Sequence, residues 1–352
     1  MKKITVCMVA ALFALLGANL WGAQVENPRV QWMKGKYGVM VHWLFLRYDG
    51  GKTENIDKTA NSFDLDAFMK CFDATGAEWL IFTIGQNTGA YASPNSVIDK
   101  YCGPGHTSKR DLVLEIAKAV HERGKKFIAY APCEVRGNKS MRDGMAWNDD
   151  IQDNKAEFQK RYTDMLREWS VRYGKYCDGW WIDGAYGDIA PHMDWDLWHK
   201  ALRAGNPNAV VTFNPGIITT NRIALLHPDH DYIAGEVVVL VDGKIRGGRN
   251  NTDPQAFMPQ SGYYGGTKTL WHVLFPMDSF WGAYSNWSEW AFVPWKCEDV
   301  SKSRKIHPPV YSKKNFWKFL DGMSKVGAAV TVNMGVTPEG HLSQESIKMF
   351  KK

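Results

Sequence analysis

Short apolar runs alternate with amphipathic stretches along most of this chain, and that alternation restricts the fold more than any other feature. The apolar runs are Tyr37–Leu44, Trp79–Gly85, Lys126–Pro132, Gly179–Asp183, Ala209–Asn214, Tyr232–Glu236, Leu270–Met277 and Ala328–Asn333. Apolar residues recur with a helical period at Leu65–Ala74, Asp111–Arg123, Lys155–Tyr173, Asp194–Arg203, Lys314–Ser324 and Ser343–Phe350. A continuous apolar run suits a strand covered on both faces, and strands separated by helices pair in parallel through crossovers. Eight such runs predict an α/β fold, a single-domain (β/α)8 TIM-like barrel spanning residues 24–352.

The ends of the runs are polar. His42, Gln86, Glu134, Asp183, Asn214, Glu236, His272 and Asn333 each stand at or just past the end of one. In a barrel, chemistry collects where the strands end. The sharpest case is Cys177–Gly184, an apolar segment that stops at Asp183 and Gly184. Asp183 is the first candidate for a catalytic group, and an aspartate capping the next turn is the competing structural reading. An open doubly wound sheet also gathers polar strand ends, but it carries a glycine-rich phosphate turn after an early strand. The chain has no GxGxxG, GxxxxGK, HExxH or GxSxG run, so nucleotide, zinc-peptidase and serine-hydrolase chemistry has no local support.

Hydrophobic residues at 45% and charged residues at 23% describe a globular chain with a substantial core. The net charge of +6 is mild and scattered, which argues against a nucleic-acid partner. Lys2 and Lys3 precede an apolar stretch from Ile4 to Leu16 and small residues around Ala18 and Ala23. This is the pattern of a secretory signal peptide over residues 1–23, and it predicts export to the periplasm or the medium. No later segment is long and apolar enough to span a bilayer, so the exported protein is expected not to be membrane-embedded. Cys71, Cys102, Cys133, Cys177 and Cys297 follow the leader with no CxxC pair and no metal-ligand spacing, so buried free thiols are expected, and neither a metal nor a cofactor.

Two aperiodic segments, Val237–Thr269 and Ser285–Val310, are rich in Gly, Asn and aromatic residues and suit loops that wall a pocket. Indole faces pack on the apolar C–H faces of sugars, so tryptophans near strand ends or in these loops are candidate ligands: Trp43, Trp180, Trp271, Trp281, Trp287 and Trp290. Core packing accounts for most of the 16 tryptophans equally well.

Several motifs, in order, resemble the α-L-fucosidases of glycoside hydrolase family 29. Trp32–Trp43 is similar to the family's opening strand, WF…KFGIFIHWG, whose histidine binds sugar; the resemblance assigns that role to His42. Phe63–Phe72 and Gly76–Trp79 resemble its first helix and second strand, and Lys109–Val113 its RDLV run. Trp181-Ile182-Asp183-Gly184 matches the WFDG segment that carries the family's nucleophile. Met323–Gly327 and Val332–Val336 are similar to its VSKNGNLLLNIGP run, with Glu339-Gly340 beyond. There are departures too. Gly85–Tyr91 stands where fucosidases carry KHHDGF, His272 stands where a WE…WGY run places a glutamate, and the family's usual C-terminal β-sandwich is not expected within residues 24–352.

The resemblance implies a retaining exo-glycosidase without a metal. Asp183 would be the nucleophile, and Glu236 the leading acid/base, with a salt-bridged strand-end glutamate as its structural alternative. Glu134 and Glu289 are the alternative acids, and His272 is a further candidate for catalysis because an imidazole titrates near neutrality. His42, Trp43, Gln86, Asn87, Tyr130, Glu134, Asn214, Trp271 and Trp281 are the candidate substrate ligands. A fucosyl glycan is the expected partner, and the oligomeric state is left open. Two other functions stay in play: a glycosidase of the same superfamily acting on another sugar such as a galactoside, and a carbohydrate-binding relative without catalysis.

Overall fold

A computed structural model describes residues 26–43, 55–86, 88–150, 153–217, 227–237, 239–246, 256–278, 306 and 308–352. Strands β1 (Tyr37–Val41), β2 (Trp79–Thr83), β3 (Lys126–Pro132), β4 (Gly179–Asp183) and β5 (Val210–Phe213) are followed by a small antiparallel hairpin, β6 (Val239–Val241) and β7 (Lys244–Arg246). Strands β8 (His272–Pro276) and β9 (Ala329–Met334) complete a seven-stranded, all-parallel sheet in the order β5-β4-β3-β2-β1-β9-β8. Almost every strand position is buried, the pattern of a sheet covered on both faces.

Alternate residues of these strands enter two different cores. Met40, Ile81, Ile128, Trp181, Val210 and Leu274 pack in one cluster. It joins residues of both edge strands, β5 and β8, so the sheet is curled. Their sequence neighbours Val41, Phe82, Ala129, Ile182, Val211 and Phe275 belong to a second cluster shared with the surrounding helices. Gly38 serves the inner core, because a Cβ there would lie 2.2 Å from the Trp79 indole.

The helices begin where polar residues can cap them. Asp64, Asp111, Asp194, Ser312 and Ser343 each accept a hydrogen bond from a first-turn N–H of the helices Leu65–Thr75, Leu112–Glu122, Trp195–Leu202, Lys313–Val326 and Gln344–Met349. These are the predicted helices to within a few residues, together with Ala156–Tyr173. Three short helices, Ile56–Ser62, Ser96–Cys102 and Lys139–Gly144, were not expected from periodicity, since two turns show too little of it. Cys71, Cys102, Cys133 and Cys177 are free thiols, the last two buried.

The predicted strand Tyr232–Glu236 differs from expectation. It runs parallel to β8 with isolated bridges Tyr232↔Leu270 and Glu236↔Leu274, but it is not a regular strand. Gly235 interrupts it at φ +75°, where its Cα passes so close to β8 that a Cβ would sit 2.2 Å from the His272 carbonyl oxygen. The residue before it, Asp231, ties it to the other sheet edge. The fully buried carboxylate accepts from Asn27 Nδ2 (2.8 Å) and Arg29 Nε (2.8 Å) on one oxygen, and from Arg203 Nη2 (2.7 Å) and the Val211 N–H (2.8 Å) on the other.

Behind the end of β5, His199, His227 and His230 gather around Phe213, with ring centroids 4.9 Å apart for His199–His227 and 6.2 Å for His199–His230. Burial pushes His199 and His230 down to about 3, and the nearby cations Arg203 and Arg29 act in the same direction on His199 while Asp229 opposes them.

Asp231→Ala should lower unfolding stability by about 1–3 kcal/mol, because it leaves the buried Asn27 amide and Val211 N–H without their acceptor and two partly exposed guanidinium groups without their anion; denaturant unfolding measures this. The buried histidines add a pH dependence. Between about 6.5 and 3 the unfolded chain binds protons that the folded chain refuses, so stability should fall as pH drops through this window, by up to about 1.4 kcal/mol per pH unit per histidine. Unfolding curves recorded from pH 7.5 to 4.5 check the sign, and His199→Phe should flatten the slope.

Candidate functional site

Parallel strands all end on the same side, and the inward positions there carry the candidate residues. On β4 the inward series is Gly179, Trp181, Asp183. Trp181 stacks on Tyr130 of β3, with centroids 5.2 Å apart and planes 14° from parallel, and the His42 ring, just past β1, meets Tyr130 edge-on at 4.9 Å. Asp183 projects from this floor and is partly exposed.

Three neutral donors hold its carboxylate. Tyr130 Oη donates to Oδ2 at 2.5 Å and Gln86 Nε2 to the same oxygen at 3.0 Å. Gln86 Nε2 also donates to Tyr130 Oη. Asn214 Nδ2, just past β5, donates to Asp183 Oδ1 at 2.9 Å and to Glu236 Oε2 at 2.6 Å. Asn214 is fully buried, and its own carbonyl oxygen accepts from the Gly216 N–H at 3.1 Å, which fixes the orientation of the amide. One amide nitrogen therefore bridges the two carboxylates, and the two hydrogen-bond lengths limit the Oδ1···Oε2 separation to about 5.5 Å. Retaining glycosidases keep their carboxyl groups roughly 5–5.5 Å apart, and inverting enzymes ~6.5–9.5 Å.

The protons nearby are held by this negative charge. Burial, then Asp183, raises the Tyr130 hydroxyl well above its usual range, so it remains a donor. Burial, then Glu134 and Asp183, raises the Cys133 thiol in the same way. Glu134 follows β3, is buried, accepts from the Arg136 N–H at 2.5 Å and lies against Gly184, beside rather than within the bridged pair. Asn333, the inward residue near the end of β9, is fully buried, and among the described residues neither of its amide atoms has a hydrogen-bond partner. Among the described residues no group of three or more His, Cys, Asp or Glu is arranged to hold a metal ion.

Three expectations are corrected. His272 is the first residue of β8 rather than its last, so it lies at the opposite end of the sheet from Asp183. Its Nδ1–H faces the Ile233 carbonyl at 3.0 Å, and Nε2 meets Thr331 Oγ1 at 2.7 Å; Thr331 in turn accepts from Trp79 Nε1 at 2.9 Å. Burial lowers His272 to about 4, so it is a neutral core group and not a general acid at this mouth. Trp271 precedes it at the same far end, packed on Phe257 and Tyr264. Trp43 follows inward-facing His42 and so points outward, buried against Phe63 and Phe82 with its indole N–H on the Pro338 carbonyl at 3.2 Å. Asn87, Trp281, Trp287, Trp290 and Glu289 lie outside the described residues.

Tyr186 was missed by the reading from sequence. It sits three residues past Asp183 in a turn with no strand or helix periodicity to mark it. The charge of Asp183, then burial and Glu236, raises its hydroxyl far above the usual range, and its ring lies against Gly216.

Tyr130→Phe removes a hydrogen bond to a charged group, a contribution of about 1.5–3 kcal/mol, so hydrolytic kcat should fall about 10- to 100-fold with little change in melting temperature. Asn214→Asp places a third carboxylate between the first two and should cost more than Asn214→Ala; steady-state kinetics with one aryl glycoside ranks the two.

Comparison with known proteins follows the same lines. The α-L-fucosidase family model matches residues 18–232, a span that includes Asp183 and stops short of Glu236. No curated protein matches the chain. Among solved structures, the endo-fucoidan hydrolase P5AFcnA of glycoside hydrolase family 107 superposes with a TM-score of 0.64 at 13% identity, over 92% of each chain. The α-L-fucosidase isoenzyme 1 of Paenibacillus thiaminolyticus gives 0.58 at 17% identity, over 92% of this chain and 73% of that one. A putative α-L-fucosidase of Bacteroides thetaiotaomicron gives 0.60 at 16%, over 93% and 66%. The chain spans only 53% of the endo-fucoidan hydrolase MfFcnA4. The family match covers more than half of the chain and runs through the strands that build the site: the chain belongs to the α-L-fucosidase family and is a glycoside hydrolase.

Proposed function

We propose that this protein is a retaining glycosidase that removes α-L-fucosyl residues from a glycan, with Asp183 as nucleophile and Glu236 as acid/base. The observation that carries the reading is the Asn214 amide, which donates to both carboxylates and holds them closer together than the roughly 6.5–9.5 Å of an inverting pair. In the first step Asp183 attacks the anomeric carbon while Glu236 gives its proton to the departing glycosidic oxygen. In the second, Glu236 takes a proton from water, which attacks the same carbon and releases Asp183. Tyr130, Gln86 and Asn214 supply hydrogen bonds that orient the attacking carboxylate, and among the described residues these donors are neutral. His42 is the sugar ligand nearest this floor. We take the segment 231–237 as the remaining stave of a TIM-like barrel, between β5 and β8, and residues 1–23 as a leader that exports the enzyme to the periplasm or beyond.

A second reading is internal cleavage of a fucose-containing polysaccharide. The endo-fucoidan hydrolase P5AFcnA favours it, since the superposition takes in 92% of both chains.

The test uses aryl α-L-fucoside and a fucose-containing polysaccharide with wild-type protein, Asp183→Asn and Glu236→Gln. Asp183→Asn should lose at least about 10³-fold in kcat, and Glu236→Gln should keep kcat/KM on a substrate whose leaving group needs no proton while its kcat falls, because the second step has lost its base. Free fucose as the sole product supports the exo reading, and oligosaccharides support the endo reading. Full turnover by Asp183→Asn would remove the assignment altogether.

A further inference from the structure

Tyr186 is held in place yet left uncovered. Its N–H donates to the Gly184 carbonyl at 2.7 Å, and its own carbonyl accepts from the Ile189 and Ala190 N–H groups at 2.9 and 2.8 Å, so the turn after β4 is pinned on both sides. Its ring lies against Gly216, where an added Cβ would be 3.6 Å from two ring carbons. Gly216 is the residue whose N–H orients the bridging amide of Asn214. The ring is nonetheless 37% exposed, one of three large apolar side chains so exposed among the described residues. The other two, Val171 and Leu197, lie on the helices Ala156–Tyr173 and Trp195–Leu202.

The groups around Asp183 divide into two sides. Gln86 and Tyr130, with His42 beside Tyr130, surround Oδ2, while Asn214 and Glu236 stand at Oδ1. A general acid must reach the glycosidic oxygen, so the departing sugar occupies the acid's side of the cleaved bond. Tyr186, packed on the loop that follows Asn214, stands on that side.

We infer that Tyr186 is the platform on which the leaving-group sugar of the substrate stacks, a specificity-determining contact that the hydrolysed fucosyl unit does not make. The inference rests on the assignment of Asp183 and Glu236 above. A phenol ring offers an apolar face to sugar C–H groups and a hydroxyl to a sugar oxygen, and a turn pinned by three backbone hydrogen bonds presents it at little entropic cost.

The experiment compares wild type, Tyr186→Ala and Tyr186→Phe on α-L-fucosyl fluoride, which has no leaving-group sugar, and on a fucosylated oligosaccharide. The readout is the ratio of kcat/KM for the oligosaccharide to that for the fluoride. Tyr186→Ala should lower this ratio about tenfold or more, and Tyr186→Phe should keep it within about threefold of wild type. An unchanged ratio in Tyr186→Ala overturns the inference, whether both rates fall together or neither does. Failure of the underlying assignment looks different: wild-type protein that hydrolyses neither substrate, or Asp183→Asn that hydrolyses both.

Discussion

A parallel strand covered on both faces must send every second side chain to each side, and that constraint orders the whole molecule. One parity of the strands builds the outer core with the helices, and the other fills the concave side of the sheet. Because all the strands run the same way, the inward series have a common bottom and a common top. At the bottom, the chain Trp79–Thr331–His272–Ile233 satisfies the polar groups of the inner core. At the top, Tyr130, Asp183 and Asn214 meet. The site is where the inward parity runs out of apolar residues.

Charge distinguishes the carboxylates that hold the fold from those offered to a substrate. Asp231 is set between two cations, Arg29 and Arg203, and Asp178 between the Lys126 ammonium and the His121 ring. Such pairs secure strand ends, and a carboxylate held by a guanidinium or ammonium is a poor nucleophile. Among the described residues, the side-chain donors to Asp183 are a phenol and two amides instead. These donors fix its position while leaving its charge available, and the same amide that fixes it also brings in Glu236.

Much of this was legible in particular residues. Asp64, Asp111, Asp194 and Ser343 announced helix starts because a side-chain oxygen there satisfies N–H groups the helix leaves free. Asp183 was legible because a carboxylate is costly inside an apolar run unless it stands at the end. Other positions misled. His272 looks like a strand end by analogy with a glutamate, but only the pairing His272↔Ala329 reveals that it begins β8. Trp43 borders a candidate ligand in sequence and faces the other way in space, since neighbours on an extended chain point to opposite sides. Gly235, unremarkable in sequence, breaks a predicted strand because the backbone there presses on His272.

The amino-acid sequence by itself determined the alternating architecture, the family resemblance and the identity of the leading carboxylate, since each depends on local periodicity or on a contiguous motif. Only the tertiary structure decided which second carboxylate shares a site with Asp183, which histidine and tryptophans are withdrawn into the core, and that Tyr186 packs on the loop after Asn214. Those relations join residues from different strands and loops. They depend on register and strand direction, which no single segment of the chain contains.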